Sequence, residues 1–453
     1  PQLLVLDSTN PTSVLRVEHQ VNLATTLFIV ASKSGGTTET NMFYQYFYDR
    51  VGNVKNNAGD NFIAVTDADT KMEKIAKEKK FRKIFINPQD IGGRYSALSY
   101  FGLVPMALIG MDCEKILASA GQMRNDCKNG IDKNPAVRIG IAMGEAYAAG
   151  RDKLTFITSD EISTFGYWAE QLIAESTGKE GKGIVPIEGE RFNEKNYSAD
   201  RFFVFLQLAK DRNAFTALQQ KLAAANHPFV VVELDDPYEL GSQFFLWEIA
   251  TAFSAVSLSI NPFDEPNVKE SKDNTVRVIS EYQKNGKLPS IPEFQNDSQF
   301  IFVAEKEYAD TIKHSGLKET LTAHLKGKSG YDYIGILAYI DQTEPHATVL
   351  YRMRENIMER FKIVSTVGFG PRYLHSTGQL HKGGRANGIF LLITGDEPHD
   401  LNIPGEVFTF EILKNAQALG DYQSFATRKS RLLHIHMKGN IEAGLNNLVQ
   451  LVS

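Results

Sequence analysis

Cysteine is nearly absent from this 453-residue chain: Cys113 and Cys127 are the only two. Two cysteines cannot build a disulfide framework, and their spacing is not that of a metal knuckle, so a reducing cytoplasm is the simplest setting. Long apolar runs are missing as well. No stretch approaches the roughly 18 residues of a membrane span, and the opening Pro1-Gln2-Leu3-Leu4-Val5-Leu6 has no basic signal-peptide head. Neither sign of charge dominates, with 49 Lys and Arg against 54 Asp and Glu and a net charge of −5. No global field therefore draws nucleic acid or an anionic membrane, and an anionic ligand must be held locally. With 16 Pro and 35 Gly against 42% hydrophobic residues, the chain is neither collagen-like nor disordered. At roughly 100–200 residues per domain its length allows two to four domains. It lacks an initial Met and opens on a strand-like run, Leu3–Leu6, so a piece of a longer polypeptide is expected.

What is present is an alternation. Short apolar runs bounded by Gly, Asp or Pro alternate with amphipathic stretches of helical length, the pattern of parallel sheets with crossover helices. In a first block, Leu3–Leu6, Thr26–Ala31, Phe62–Thr66 and Lys83–Ile86 read as strands, with helices near residues 39–50 and 95–109 and a polar stretch at Asp126–Gly130. A second block has strand runs at Leu154–Thr158, Phe202–Leu206 and Phe229–Leu234. The turn-rich Lys284–Pro292 is the clearest linker. Beyond it, strands near 300–304, 333–339, 362–366, 388–394 and 431–437 repeat the pattern without a short-period sequence repeat.

Five strings gather residues able to do chemistry. The loop Ser32-Lys33-Ser34-Gly35-Gly36-Thr37-Thr38-Glu39-Thr40 leaves a strand and enters a helix. Hydroxyls, backbone N–H groups and the charge of Lys33 converge there as an anion requires, although the same string also serves as a plain capping turn. In Gly92-Gly93-Arg94-Tyr95-Ser96, Arg94 is placed either to clamp an oxyanion or to pair with a neighbour on a capped turn. In Gln171-Leu172-Ile173-Ala174-Glu175-Ser176-Thr177-Gly178-Lys179, Gln171 and Glu175 share a helix face. Glu175 falls near the negative end of the helix dipole, which raises its pKa as a general base near neutrality requires; an exposed, solvated Glu is the alternative. The stretch from Asn261 to Lys272 puts Lys272 within reach of a substrate hydroxyl or merely in solvent. Leu374-His375-Ser376-Thr377-Gly378-Gln379-Leu380-His381-Lys382-Gly383-Gly384 is the densest titratable cluster, with His375 suited to carrying a proton and a surface loop as the alternative. His434 and His436 lack a third ligand at metal spacing, and Asp67 with Asp69 reads as a turn rather than a calcium loop. No metal or cofactor is expected.

Together these strings resemble the glucose-6-phosphate isomerase family, of the sugar-isomerase (SIS) fold, from Leu6 to near His436. Ser-Lys-Ser-Gly-Gly-Thr-Thr-Glu-Thr resembles its phosphate loop, Gly-Gly-Arg-Tyr-Ser its arginine signature, Gln-Leu-x-x-Glu-Ser-x-Gly-Lys its base helix and Asn-Pro-Phe-Asp-x-Pro-x-Val its lysine segment. The resemblance implies an α/β fold with two SIS-type doubly wound parallel-sheet domains. Residues 1–133 would carry the phosphate loop and 134–295 the base helix and lysine segment, while 296–453 would form a C-terminal α/β segment that completes the second domain and carries the histidine loop. It further implies reversible isomerisation of glucose 6-phosphate and fructose 6-phosphate through a cis-enediolate. Ser32, Lys33, Ser34 and Thr37 would bind the phosphate, Gln171 and Glu265 would line the sugar, Glu175 would be the base and Arg94 would stabilise the enediolate. Lys272 and His375 would open the ring. A cytoplasmic homodimer, with no nucleic-acid or membrane partner, belongs to the same expectation.

Three departures stand out. Glu175, Lys272 and His375 occur in that order, whereas the histidine segment ordinarily precedes the lysine segment; the order here resembles the isomerase half of bacterial transaldolase/glucose-6-phosphate isomerase fusion proteins, so a transaldolase domain is expected upstream in the parent. Glu265 stands where the family usually has Gln, adding negative charge beside a phosphosugar. The family's early Gly-Gly-Ser loop is absent. Two other readings share these residues: an isomerase of another hexose phosphate, and a non-catalytic sugar-phosphate sensor.

Overall fold

The computed structural model describes residues 2–191, 197–327 and 329–453. Three α/β units follow one another along the chain. In the first, β1 (Phe28–Ala31), β2 (Phe62–Asp67) and β3 (Lys83–Asn87) form a parallel sheet in the order β1-β2-β3. The central strand β2 is buried along its whole length, as its near-continuous apolar run requires. In the second, β4 (Lys153–Thr158), β5 (Val185–Ile187), β6 (Arg201–Leu208) and β7 (Phe229–Leu234) form a parallel sheet in the order β5-β4-β6-β7.

The third unit departs from expectation. Instead of adding strands to the second sheet, it builds a six-stranded sheet of its own from β8 (Glu293–Asn296), β9 (Phe300–Val303), β10 (Tyr333–Tyr339), β11 (Val364–Phe369), β12 (Gly388–Gly395) and β13 (Arg431–Met437). Its order is β11-β10-β12-β13-β9-β8, with β9 antiparallel to both β13 and β8 and the other pairs parallel. The physical reason lies in its strands: every residue of β10 and β12 is buried, so each must be covered on both faces by helices of its own. The polar linker precedes it as anticipated, with Gly286 ending the helix Pro266–Asn285 in a left-handed conformation at φ 69°.

Other differences are local. The run Leu3–Leu6 is not a strand, and Val5 is 72% exposed. This segment leads instead into the helix Pro11–Gln20, capped by Asn10 through the N–H groups of Thr12 and Ser13. It is held by side chains rather than a ladder: Asn10 donates to Glu397 (2.6 Å) and Thr9 to Gln417 (2.6 Å). The strands β5 and β8 were not anticipated, because one is three residues containing Pro186 and the other a polar edge strand.

Two shared cores fix how the units meet. Ala174, Val185 and Ile187 of the second unit pack with Tyr333, Leu337, Tyr373 and Leu380 of the third. Val14, Phe47 and Phe62 of the first pack with Phe408, Phe410 and Leu413 of the third. The phosphate loop after β1, the base helix after β4 and the histidine loop after β11 all leave the carboxyl ends of their strands, where open α/β sheets bind ligands.

Candidate active site

The site is organised along the helix Phe165–Thr177. Tyr167, Gln171 and Glu175 recur at four-residue spacing and so form one stripe along it. Glu175 is buried, with Oε1 3.1 Å from Arg94 Nη1. The same Nη1 donates to Glu265 Oε2 (3.0 Å), while Nη2 donates to the carbonyls of Pro262 (3.0 Å) and Asp264 (3.3 Å). One guanidinium thus joins the arginine turn, the base helix and the lysine segment. Burial pushes the Glu175 carboxyl above the usual carboxylate range; Arg94 opposes this, Glu265 adds to it, and His375 and Gln171 oppose it. The direction agrees with the sequence argument, but the leading cause is desolvation rather than the helix end.

Glycine is required where this helix stops. A Cβ on Gly178 would lie 2.3 Å from Leu380 Cα, so only Gly lets the histidine loop reach the base helix. Gln379 then ties three segments together: its Nε2 donates to Gly178 O (2.9 Å) and Asn267 Oδ1 (2.7 Å), and its Oε1 accepts from Asn267 N (2.8 Å). Beneath them, fully buried Lys382 donates to Asp421 Oδ1 (2.5 Å) and Ser271 Oγ (2.8 Å).

His375 faces the base helix from the far side. Its carbonyl accepts from Gln171 Nε2 (2.7 Å), and its Nε2 lies 3.3 Å from Glu39 Oε1. Glu39 also accepts from Gln417 Nε2 (2.7 Å), whose amide oxygen accepts from Thr9. Burial raises the Glu39 carboxyl, but the hydrogen bond and charge of His375, with the more distant Lys272, hold it below its ordinary value. A glutamate held ionised against a histidine fixes the orientation of the ring. Sequence reasoning quoted Glu39 without assigning it a role. No local signal marks it, because its partner lies 336 residues away.

The phosphate loop is only partly turned to the site. Lys33 pairs with Asp67 and donates to Gln89 O (3.1 Å). Ser32 is buried and donates to Thr37 Oγ1 (3.0 Å), and Ser34 is exposed, its Oγ accepting from Gly36 N (3.2 Å). Gly35 has φ 64°, and a Cβ there would meet Met72 N at 2.8 Å. Thr37 starts the helix Thr38–Gly52 without a side-chain cap, which leaves the helix end open to an acceptor. Thr37, Glu39 and Thr40 line a cleft of about 420 Å³ with Gln171, His375 and Arg372. Lys272 is exposed on the helix Pro266–Asn285 and does not line the cleft, though its charge is felt at Glu39.

The structure therefore brings Arg94, Gln171, Glu175, Glu265 and His375 into contact or near-contact and places Thr37 in the cleft that Gln171 and His375 line. It leaves Lys272 one step removed, and commits Lys33 to an aspartate. His434 and His436 both bond Thr394 Oγ1 (2.8 and 2.9 Å), and Asp69 occupies a left-handed turn before the helix Lys71–Glu78. This arrangement suits proton transfer next to a carbonyl: a desolvated carboxylate base, a guanidinium beside it for a developing oxyanion, and a histidine–glutamate pair.

Comparison with known proteins finds one family model and several similar chains. Residues 1–195 match the family model described as phosphoglucose isomerase. The chain is 29% identical over 331 residues to a glucose-6-phosphate isomerase of Prochlorococcus marinus, a match that takes in 65% of this chain and 61% of that protein. It is 28% identical over 313 residues to the glucose-6-phosphate isomerase of Methanocaldococcus jannaschii, covering 61% and 77%. A similar match to that of Mycoplasma capricolum, 26% identical, covers 55% and 69%. In fold, the crystal structure of a glucose-6-phosphate isomerase from Chlamydia trachomatis superposes with a TM-score of 0.53 at 19% identity, over 61% of this chain and 63% of that one.

Proposed function

We propose that this chain is a member of the phosphoglucose isomerase family, whose model matches residues 1–195, and that it interconverts glucose 6-phosphate and fructose 6-phosphate by proton transfer between C1 and C2. The observation that carries the reading is the buried Glu175 set 3.1 Å from Arg94 on a helix face that also presents Gln171 to His375. In this reading the phosphate rests at the open end of the helix Thr38–Gly52, beside Thr37, with Ser32, Lys33 and Ser34 shaping the loop, and supplies remote binding energy that holds the sugar in register. His375, steadied by Glu39, carries the ring-opening proton, and Lys272 assists from the helix Pro266–Asn285. Glu175 removes the proton from C2 of the aldose, Arg94 offsets the charge on the cis-enediolate, and Glu175 returns the proton to C1. One base serves both carbons because both protons lie on the same face.

Its position next to Arg94 makes Glu265 a brake rather than a simple sugar contact, since it occupies the guanidinium that the enediolate needs. A homodimer in a reducing cytoplasm, and a parent polypeptide with a transaldolase domain upstream, belong to the same proposal; the unpaired Cys113 and Cys127 suit such a compartment. Light scattering checks the dimer.

The deciding experiment follows fructose 6-phosphate in heavy water. Turnover to glucose 6-phosphate with deuterium entering at C2 supports the reading. Binding without turnover or exchange would make the chain a sugar-phosphate sensor, and turnover of a different hexose phosphate alone would change the substrate while keeping the chemistry.

A further inference from the structure

We propose that Arg372 is a substrate-binding residue: its guanidinium, at the end of the cleft remote from Glu175, takes the phosphate of the ligand, and Asp7 holds that place in the unliganded protein. The proposal deepens the isomerase reading and rests on it for the identity of the sugar.

The cleft has a direction. Along the helix Phe165–Thr177, Tyr167, Gln171 and Glu175 are separated by about 6 Å per step, so Tyr167 stands about 12 Å from the base. Gln171 and Tyr167 line the cleft, together with Thr37, Thr40, His375 and Arg372. Glu175 and Arg94 do not line it; Glu175 follows Gln171 by one helical turn and carries Arg94 at 3.1 Å. A ligand whose reacting carbon is at Glu175 and which runs along this stripe therefore ends beside Tyr167, the residue that carries Arg372: the guanidinium carbon sits 5.2 Å from the Tyr167 ring centroid.

Exposed Lys272 does not line the cleft, and two further cations near the site are committed to partners. Arg94 is taken by Glu175, Glu265 and two carbonyls, and Lys33 by Asp67 and Gln89 O. Arg372 makes no hydrogen bond among the described residues. Its one ion-pair partner there, Asp7, lies at 3.8 Å, too far for a hydrogen bond, and both side chains are 38% exposed. Burial pushes the neighbouring carboxyls of Glu170 and Glu188 up, and the Arg372 charge opposes this at both. A planar guanidinium set over a tyrosine ring, without a hydrogen bond among the described residues, matches a phosphate dianion bidentately. Thr37 and Thr40, on the wall contributed by the helix Thr38–Gly52, supply hydroxyls to the same cleft. Asp7 repels a phosphate and competes for the same N–H groups, so removing the two side chains has opposite effects.

The test uses the whole chain and its Arg372→Gln, Arg372→Lys and Asp7→Asn variants. It measures the dissociation constant of inorganic phosphate by calorimetry, and KM and kcat for fructose 6-phosphate. Loss of a charge-assisted pair predicts that Arg372→Gln raises the phosphate dissociation constant and KM about 10- to 100-fold with kcat little changed. Arg372→Lys recovers part of the loss, and Asp7→Asn tightens phosphate. Unchanged phosphate affinity in Arg372→Gln, or a fall in kcat and Tm without a change in KM, would make Arg372 a structural residue and overturn the proposal. So would an unmodified chain that binds no phosphate. Phosphate binding that depends on Arg372 in a protein that isomerises nothing would keep the assignment and sink the isomerase reading instead.

Discussion

Replacing Glu175 by Gln tests the base and its electrostatics together, because the change keeps the shape and removes only the charge. Arg94 retains Glu265 Oε2 at 3.0 Å and the carbonyls of Pro262 and Asp264, so the guanidinium stays in place and the oxyanion site survives. The loss is then that of the base alone, about 10²- to 10⁴-fold in kcat, or roughly 3–5 kcal/mol of barrier at 1.36 kcal/mol per decade. KM should change little. Stability should move the other way. The folded-state pKa of Glu175 is raised, so the native protein binds this proton more tightly than the unfolded chain does. Stability from this group is therefore full below the unfolded pKa and lost as pH rises through the folded one. At neutral pH and above the wild type bears that cost and Glu175→Gln does not, so its Tm there should equal or exceed that of the wild type, with the advantage vanishing in acid. A coupled fructose 6-phosphate assay and thermal melts at pH 5 and pH 8 read both effects. Turnover within tenfold of wild type would refute the base, and a Tm several degrees lower at pH 8 would refute the electrostatic argument.

Glu265→Gln removes the carboxylate that competes for Arg94 and raises Glu175. Because the base must be ionised, kcat/KM falls as pH drops through the Glu175 pKa; this acidic limb should move to lower pH in the variant, with KM reduced, as a pH–rate series will show. Glu39→Gln takes the charge from the His375 pair and should lower kcat about 10- to 100-fold on the cyclic sugar phosphate but much less on an open-chain substrate; equal losses on both would detach Glu39 from ring opening. Gly178→Ala puts a Cβ 2.3 Å from Leu380 Cα and should cost about 1–3 kcal/mol in denaturant unfolding, with activity lost as the histidine loop is pushed off the base helix.

Local chemistry was readable from the residues. Apolar runs ending in Gly-rich turns marked the strands of each sheet to within a residue or two for most of the chain, because a strand buried on both faces leaves a continuous hydrophobic signature. The resemblance to a known family singled out Arg94, Gln171, Glu175 and His375, and the structure sets them around one another. The misread elements were those whose stability comes from elsewhere. Leu3–Leu6 has a strand's composition but finds no partner strand, while Thr9 and Asn10 behind it are buried and bonded through their side chains to Gln417, on the helix Phe410–Thr427, and to Glu397, just past β12.

By itself, then, the sequence determined the α/β class, most of the strands and the strand-to-helix loop at residues 32–40, since each rests on a pattern among near neighbours in the chain. Tertiary structure alone decided that the C-terminal third closes its own sheet, that Lys33 is spent on Asp67, that Arg94 is shared between Glu175 and Glu265, and that Glu39 and Arg372 belong to the cleft. Those facts depend on pairings such as Glu39 with His375, 336 residues apart, which no local pattern encodes because burial and charge are settled only when the three units pack together.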